Sequence, residues 1–537
     1  MGTVMSREKL RILCILIVGL PALVILPFPI WGYPRGHDIA FHVDSWRDLI
    51  QHWREGTFFP GWAAWANYGF GDARFIFYPP LSRMFAAAVS FVISWRMVPG
   101  AFIWAMIAIA GLSMYRLARF AMPAGSALQM GVLFAANPYL LLVVYQRSAF
   151  AELMASAVFP LVVLGVLRLS SRGWYGVIPL AWAFGALWLA NVPAGIVATY
   201  CVVTVGLVWS VIHRDRRILL LTAISMAIGL AVDAFYIVPA VYELRWVNIS
   251  ALLASNLTPE ANFLFSTHPD TAFGFNRAIS LTVVAELILF SVALFRLNKA
   301  RLRDPLSRVL VILAAVSLPL MLPLSLPLWK SLPAFQFIQF PWRWMLVFNT
   351  AFAFFLGVFF HGRKNAWTFI VLLLVFTGFG TSRSGWGAKD IDLAKASIDL
   401  RQGYKAAGDY APAGSNPGLL SADSADVGLD SSSLRIERWS GEKRVFTLDT
   451  PAPVTAPLKL LAYPAWSAEV NGDITRIIPD PTTGQATLLL PAGHNRVQLD
   501  FRLTPDRIAG NLVSALTVAT LLTLAALLKW RRPYTRA

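Results

Sequence analysis

The sequence predicts a polytopic α-helical membrane protein with about twelve transmembrane helices and a β-sandwich-like domain before the last helix. The chain is 57% hydrophobic and 14% charged, with a mean hydropathy of +0.59, whereas soluble proteins carry about a quarter charged residues. Apolar runs recur along most of the chain, but residues 381–506 are rich in Gly, Ser, Asp and Pro. The membrane is therefore the predicted solvent for most of this protein.

The predicted spans are apolar runs that can cross about 30 Å of hydrocarbon, some only with their flanking residues. In chain order they cover residues 11–31, 101–119, 126–145, 154–169, 175–191, 195–212, 217–238, 279–297, 306–323, 343–361, 366–380 and 507–529. The first run resembles a signal peptide, but no small-residue cleavage site ends it. We interpret it as a retained helix.

Basic residues predict the orientation. The formal charge is +17, and the basic residues fall in short clusters between apolar runs, as the positive-inside rule places them on the cytoplasmic side. This pattern argues against nucleic acid as a partner. Both termini are then cytoplasmic. Residues 81–95 are interpreted as a juxtamembrane or re-entrant segment, because another span there would reverse every later cluster.

With this orientation, the main extracytoplasmic segments are 32–100, 146–153, 240–278, 324–342 and 381–506. In the last of these, short apolar segments at 458–462, 487–490 and 496–502 predict strands. The turn signals Asn471-Gly472-Asp473 and Pro491-Ala492-Gly493 separate them. We therefore predict three parts: a membrane domain over 1–380, a β-rich domain over 381–506, and a final helix with a cytoplasmic tail over 507–537.

The first extracytoplasmic segment opens with Gly36-His37-Asp38 and continues as an amphipathic pattern typical of an interfacial helix. Asp38 and His42 stand one helical turn apart, so their side chains can converge. A carboxylate beside an imidazole can act as a general base. The alternative is a helix whose polar face is merely hydrated. Metal binding by Asp38 and His42 is a less supported interpretation, because two ligands do not make a metal site.

Five more charged candidates follow at or near predicted span ends. Arg147 and Glu152 share a short loop and are costly there unless paired or used; a structural salt bridge is the alternative. Asp233 is interpreted as the most deeply intramembrane acid, and an intramembrane carboxylate is a functional candidate unless a helix-to-helix hydrogen bond satisfies it. Glu243 and Arg245 lie just outside that span.

A further segment reads Gln339-Phe340-Pro341-Trp342-Arg343. The planar guanidinium of Arg343 suits a phosphate, and the neighbouring aromatic residues, with Gln339 and Trp342, can hold a lipid-linked ligand. The alternative is an aromatic belt with one snorkelling arginine.

These segments, together with Phe77-Tyr78-Pro79-Pro80, resemble bacterial membrane proteins labelled "6-pyruvoyl-tetrahydropterin synthase-related". In architecture the chain is similar to the GT-C superfamily of membrane glycosyltransferases, which includes oligosaccharyltransferase and protein O-mannosyltransferases. Tyr463-Pro464-Ala465-Trp466 and Pro491-Ala492-Gly493-His494 resemble the β-domain of related multispan proteins. The resemblance implies a protein of the bacterial inner membrane with a periplasmic β-domain.

It also implies a function in the cell envelope. Asp38 matches the acidic residue that acts at the acceptor in the first external loop, and Glu152 matches the second acidic position. Donors in the superfamily are polyprenyl-phosphate-linked sugars, here with a lipid or glycan acceptor, and Arg343 is extrapolated to face the donor phosphate. No clear Asp-x-Asp pair is present, so no cofactor is certain and a divalent cation is left open.

The leading hypothesis is therefore glycosyl transfer at the outer face of the membrane. Asp38 is assigned as general base, with His42 and Glu152 as further catalytic candidates. The predicted substrate-binding residues are Arg147, Asp233, Glu243, Arg245, Gln339, Trp342 and Arg343. The alternatives are a lipid or polysaccharide transporter or flippase, which needs a polar path through the helices, and a non-catalytic envelope scaffold.

Overall fold

The structure is a computed structural model that describes residues 7–34, 36–248, 254–297, 301, 303–361, 400, 403–406, 408–429 and 431–530. The chain divides into two compact units. The first comprises residues 1–40, 92–231 and 253–392, and the second comprises 41–91, 232–252 and 393–537. The predicted boundaries at 380 and 506 stay predictions, since residues 362–399 lie outside the described part.

The predicted fold class is confirmed: the protein is mostly helical, with many apolar helices and a separate antiparallel β-structure. Eight helical stretches of the described chain are long and apolar enough to span a membrane, or ten if each of two bent pairs forms one span. The eight are Arg11–Pro29, Trp95–Ala118, Ala124–Arg147, Phe150–Ala190, Val192–His213, Phe273–Phe295, Pro341–Phe360 and Pro505–Leu524. The predicted span 366–380 lies outside the described residues.

One of these stretches contains two predicted spans. Helix Phe150–Arg172 and helix Val177–Ala190 are joined by the 3-10 turn Gly173–Gly176. The two helices pack against each other, and a Cβ at Gly165 would lie 2.9 Å from the Leu180 side chain. The stretch is therefore a helical hairpin, as the separate runs at 154–169 and 175–191 predicted.

Proline and asparagine divide the helices of the first unit. Pro305–Leu320 and Pro323–Ser331 bend by 91° at their junction, because proline cannot donate to a continuing helix. Asn137 and Asn191 each accept a hydrogen bond from a backbone N–H and begin a new helix. The other helical segments described in this unit are Arg7–Leu13, Cys14–Gly19, Leu20–Ile25, Pro27–Trp31, Trp95–Met97, Val98–Ala118, Ala124–Ala135, Pro138–Leu142, Val143–Arg147, Arg217–Val232, Ser255–Leu257, Pro259–Asn262, Phe335–Ile338, Pro341–Trp344 and Met345–Phe360.

In the second unit, the predicted amphipathic helix forms over Ile39–Arg54, its first two residues belonging to the first unit. Much of its polar side is covered, because His42, Asp48 and His52 are as buried as the apolar residues. A narrow stripe from Ala40 to Arg54 stays exposed or half-buried. Pro80–Ser90 has 11 residues and is not among the candidate spans, in keeping with the juxtamembrane interpretation. The remaining helices are Asn67–Gly69, Arg74–Phe77, Ala234–Tyr242, Glu243–Trp246, Pro417–Leu419 and Pro505–Trp530.

Two antiparallel sheets complete the second unit. The strands are β1 (Arg435–Trp439), β2 (Lys443–Thr450), β3 (Val454–Leu461), β4 (Trp466–Val470), β5 (Asp473–Thr475), β6 (Ile478–Pro479), β7 (Gln485–Leu490) and β8 (Gly493–Phe501). One sheet has the order β1-β2-β8-β4-β5 and the other β3-β7-β6. Inward residues of both sheets share one core, including Phe446, Leu458, Leu488 and Leu499, as a sandwich requires.

The predicted turn at Asn471-Gly472 joins β4 to β5. Both residues have positive φ, 57° and 95°, as a two-residue hairpin turn of this type needs. The predicted strands at 458–462, 487–490 and 496–502 overlap β3, β7 and β8, which each begin two to four residues earlier.

Candidate active site

The position of Asp38 depends on a close approach between two backbone segments of the first unit. The amide of Asp38 donates to the carbonyl of Arg147 at 2.8 Å, and the amide of His37 donates to that of Gln146 at 3.2 Å. A Cβ on Gly36 would collide with Arg147 and Ser148. Glycine is therefore required there, and the contact sets Asp38 beside Arg147.

A buried glutamate, Glu152, lies between two arginines in this unit. Its carboxylate accepts hydrogen bonds from Arg147 Nη1, from Arg343 Nε at 3.2 Å, and from the Tyr139 hydroxyl. Glu152 and Arg147 are each 3% exposed. The salt bridge between Arg147 and Glu152, which the sequence analysis gave as the alternative to a functional role, is present. Because Glu152 also binds Arg343, it orients the guanidinium groups of both arginines.

Asp38 forms the accessible end of this network. Its Oδ2 is 3.1 Å from Arg147 Nη2, and its side chain is 38% exposed while that of Arg147 is 4% exposed. The series Asp38–Arg147–Glu152–Arg343 thus alternates in charge. Because alternating partners offset the cost of burying charge, the network can hold one carboxylate at the surface of a buried ionic cluster.

Two stacked aromatic rings support the cations. Phe340 and Trp342 lie 4.9 Å apart with an interplanar angle of 8°. The Arg147 guanidinium lies 4.7 Å from the Trp342 ring centre, and that of Arg343 lies 4.5 Å from the Phe340 ring centre. Such contacts favour a cation over an aromatic face. The aromatic motif therefore positions the arginines from one side.

Arg343 keeps part of its donor capacity. Its Nη1 donates to the Ile338 carbonyl at 2.7 Å and contacts Gln339 Oε1 at 3.4 Å. In the described part of the chain, no residue accepts a hydrogen bond from its Nη2, and 9% of the residue remains exposed. Of the predicted substrate-binding residues, the structure thus brings Arg147, Gln339, Trp342 and Arg343 together with Asp38 and Glu152.

The histidine that the first unit places near Asp38 is His37 rather than His42. His37 is exposed on one side and contacts the Phe275 ring at 5.0 Å. Burial lowers the pKa of His37, and the nearby charge of Arg147 lowers it further. His42 belongs to the second unit, where it is 2% exposed and packs against Trp46 and Tyr78.

The three remaining predicted residues also belong to the second unit. Glu243 is fully buried and accepts two hydrogen bonds from Arg507, at 2.6 and 2.8 Å, and one from Tyr463 at 2.6 Å. Arg245 is exposed and lies 4.1 Å from the ring centre of Tyr242. Asp233 is fully buried, and neither of its oxygens has a hydrogen-bond partner among the described residues.

Sequence reasoning missed Tyr139 and Glu286. Tyr139 follows Asn137-Pro138, but nothing local predicts its contact with Glu152. Glu286 lies inside the apolar helix Phe273–Phe295 and is 1% exposed, so it is a second intramembrane acid candidate beside Asp233. An acid flanked by long apolar runs on both sides is a signal that the sequence itself carries.

No metal centre can be assigned from geometry. Over the described ranges, no three His, Cys, Asp or Glu side chains form a group that could hold a metal ion. The divalent cation stays a prediction that only a chelation experiment addresses.

No protein-family model matches the sequence, and no curated protein does. The solved structures with partial likeness include the arabinofuranosyltransferase AftD from Mycobacteria, at 13% identity and a TM-score of 0.44, over 72% of this chain and 27% of that one. The apo oligosaccharyltransferase of Archaeoglobus fulgidus has 13% identity and a TM-score of 0.39, over 71% of this chain and 56% of that one.

This chain thus spans about a quarter of the length of the first protein. Both similar proteins are glycosyltransferases by name. Both TM-scores lie below 0.5, so neither likeness adds to the chemistry read from the site itself, and the pterin-synthase-related label stays a prediction.

Proposed function

We propose that this protein is a membrane glycosyltransferase that moves a sugar from a polyprenyl-phosphate-linked donor to an extracytoplasmic lipid or glycan acceptor. The observation that carries the proposal is the partly exposed Asp38 carboxylate at the end of a buried network holding two guanidinium groups. One group of the site can accept a proton, and two can face a phosphate. Glycosyl transfer from a phosphate-linked sugar needs both.

In the proposed step, Asp38 takes the proton of an acceptor hydroxyl as its oxygen attacks the anomeric carbon. The bond between that carbon and the phosphate oxygen breaks, with inversion, and the polyprenyl phosphate leaves with the bonding electrons. Arg343, through its Nη2, and Arg147 stabilise the negative charge that develops there. The lowered pKa of His37 favours its neutral form. Arg147 is then the cation that contacts the Asp38 carboxylate, and His37 adds no second positive charge beside it.

Glu152 acts as a positioning residue in this proposal. Its oxygens are occupied by Arg147, Arg343 and Tyr139, so its role is to fix the two guanidinium groups. Preorganised donors cost no rearrangement when charge develops. Without Glu152 both arginines would lose their common acceptor.

The lipid-linked donor agrees with the many apolar helices of the chain. We place the protein in the bacterial inner membrane, with both termini cytoplasmic and the β-domain extracytoplasmic, on the distribution of basic clusters. A donor carried by polyprenyl phosphate reaches the outer face within the membrane, so no nucleotide sugar has to cross it.

The test is label transfer from radiolabelled polyprenyl-phosphate sugars into lipid and polymer fractions, in membranes of a strain lacking the native protein. We expect Asp38→Asn to reduce transfer by about 10²- to 10⁴-fold, because it removes the general base but keeps the shape. Asp473→Asn, at the exposed start of strand β5, is the matched control and should transfer normally. A chelator arm tests the divalent cation.

Equal transfer by wild type and Asp38→Asn would exclude the assigned base. No transfer by either protein across a broad donor panel would instead favour the second candidate.

That second candidate is transport of a lipid or polysaccharide, and Glu286 favours it. Neither of its carboxylate oxygens has a hydrogen-bond partner in the described part of the chain. Asn349, on a packed neighbouring helix, has the same property for both of its amide atoms. Intramembrane polar groups often mark a transport path. Movement of a short-chain polyprenyl-phosphate sugar across reconstituted vesicles, compared with Glu286→Gln, would distinguish this function.

A further inference from the structure

The second unit contains a cavity of about 580 Å³ that no part of the proposed transfer uses. The end of the helix Ile39–Arg54, the loop after it, and strands β1, β2 and β3 line this space. Its volume falls within the roughly 300–1,000 Å³ typical of small-molecule sites. The lining combines indole rings with charges of both signs: Trp65, Trp439, Arg54, Arg444, Lys459, Glu55 and Asp426.

Arg444 is the most buried charge of this lining, at 1% exposure. Its Nη1 donates to the backbone carbonyl of Lys459, and its guanidinium lies 4.6 Å from the Trp439 ring centre. Its Nε is buried and has no hydrogen-bond partner among the described residues. Because a buried donor without an acceptor is unfavourable, Arg444 is a group that gains from an incoming anion.

Cations outnumber carboxylates in the lining of this cavity. Burial lowers the pKa of Arg444 to about 10, and Asp426 and Glu55 offset only part of that effect. Glu55 is itself engaged, because its two oxygens accept hydrogen bonds from Gln51 and from the amide of Gly441 at 3.1 and 2.9 Å. A second cation, Lys459, is 8% exposed and also lines the space. Three cations, Arg54, Arg444 and Lys459, thus line the space with two carboxylates, Glu55 and Asp426, which leaves a formal excess of one positive charge.

Two half-buried tryptophans supply the apolar part of the lining. The amide of Trp65 donates to Asp48 at 3.1 Å, and its ring meets His52 edge to face at 5.1 Å. These contacts fix its position from behind. Large rigid indoles pack against the C–H face of a sugar ring while their own polar edge stays free for water or hydroxyl groups.

We propose that this cavity binds an acidic saccharide, a sugar bearing a carboxylate or a phosphate. Arg444 and Lys459 take the anionic group, and Trp65 and Trp439 take the ring. Planar guanidinium groups bind carboxylates and phosphates alike. Sugars with a carboxylate and sugars with a phosphate therefore fit the same anion-binding groups. The binding does not rest on the proposed transfer, since it is measured without any reaction.

The experiment is calorimetric titration of the purified full-length protein in detergent with trigalacturonate, glucose 6-phosphate and neutral maltotriose. We expect at least one acidic saccharide to bind ten or more times more tightly than maltotriose, and the tighter of the two identifies the anionic group. We expect Lys459→Gln to weaken the acidic ligand at least fivefold and to leave maltotriose unchanged. Trp439→Ala should weaken every saccharide that binds.

Arg435→Gln is the control, because Arg435 is an exposed cation on β1 that does not line the cavity. It should bind as the wild type does, and thermal unfolding of each variant shows whether it is folded. Equal binding of acidic and neutral saccharides, no binding of any of them, or the same loss in Arg435→Gln as in Lys459→Gln would each overturn the proposal. Inactive transfer with intact saccharide binding would count against the proposed function alone.

Discussion

Two buried glutamates, one in each unit, have almost the same chemical surroundings but different consequences. Glu152 in the first unit and Glu243 in the second each accept hydrogen bonds from arginine and from a tyrosine hydroxyl. Glu243 has one arginine, Arg507, which binds both of its oxygens, and Thr504 adds a contact at 3.3 Å. Glu152 shares two arginines, one of which continues to the exposed Asp38.

The Glu243 cluster is a closed ion pair, whose charged groups all contact one another inside the protein. The Glu152 cluster is an open network, because one of its charged groups is exposed. The cluster around Glu243 satisfies itself within the protein, as a buried salt bridge must. The cluster around Glu152 ends on a carboxylate that is 38% exposed, so solvent or substrate can reach it. The types of residue are the same in both clusters; only the accessible end marks one of them as a candidate site.

The largest expected effect on stability comes from breaking the closed pair. Arg507→Gln leaves the fully buried Glu243 without a cation, and an uncompensated buried charge costs about 3–5 kcal/mol. We expect a clear fall in the midpoint of thermal unfolding of the detergent-purified protein. Arg502→Gln, which loses only a surface contact with Glu469, should unfold close to wild type. A variant of Arg507 as stable as that control would show that the pair is not structural.

Replacing one arginine of the open network should reduce the stability of the protein less than replacing Arg507. Arg343→Gln leaves Glu152 with Arg147 and Tyr139, so the expected loss of stability is smaller, about 1–3 kcal/mol. Sugar transfer should nevertheless fall by more than about tenfold, because the donor aimed at the leaving phosphate is lost. Arg343→Lys keeps the charge without the planar fork and should recover part of the transfer.

If Arg343→Gln unfolds as easily as Arg507→Gln while transfer per folded molecule is unchanged, the two clusters are equivalent. The distinction between an open and a closed network would then be wrong.

The smallest expected effect is a pH dependence within the second unit. Burial by itself lowers the pKa of His52, but Asp48, with Glu442 and Glu55, raises it by more, so the pKa ends above its ordinary value. The resulting stabilisation is therefore fully present below about pH 6.5, the usual histidine pKa, and is lost as pH rises through the raised value. One group changes the unfolding free energy by at most about 1.4 kcal/mol per pH unit.

We expect the stability difference between wild type and His52→Gln to be larger at pH 6 than at pH 9. Thermal unfolding at both values measures it, with the exposed His494→Gln as control. A difference that grows with pH would reverse the assigned sign.

The sequence by itself determined the fold class, because spans and strands are patterns of neighbouring residues. Apolar runs predicted the membrane helices, and alternation with turn signals placed parts of β3, β7 and β8. It also singled out Asp38, Arg147 and Arg343 by their residue type and position beside apolar runs. All of this information lies within short windows of the chain.

Only the tertiary structure decided which charged residues meet. Asp38 contacts Arg147 across 109 positions of sequence, and Glu152 contacts Arg343 across 191. Spacing also suggested His42 as the partner of Asp38, but His42 is buried among aromatic rings in the other unit. The physical reason is that a buried charge is stable only beside its partner, and packing between distant segments, such as Gly36 against Ser148, selects that partner.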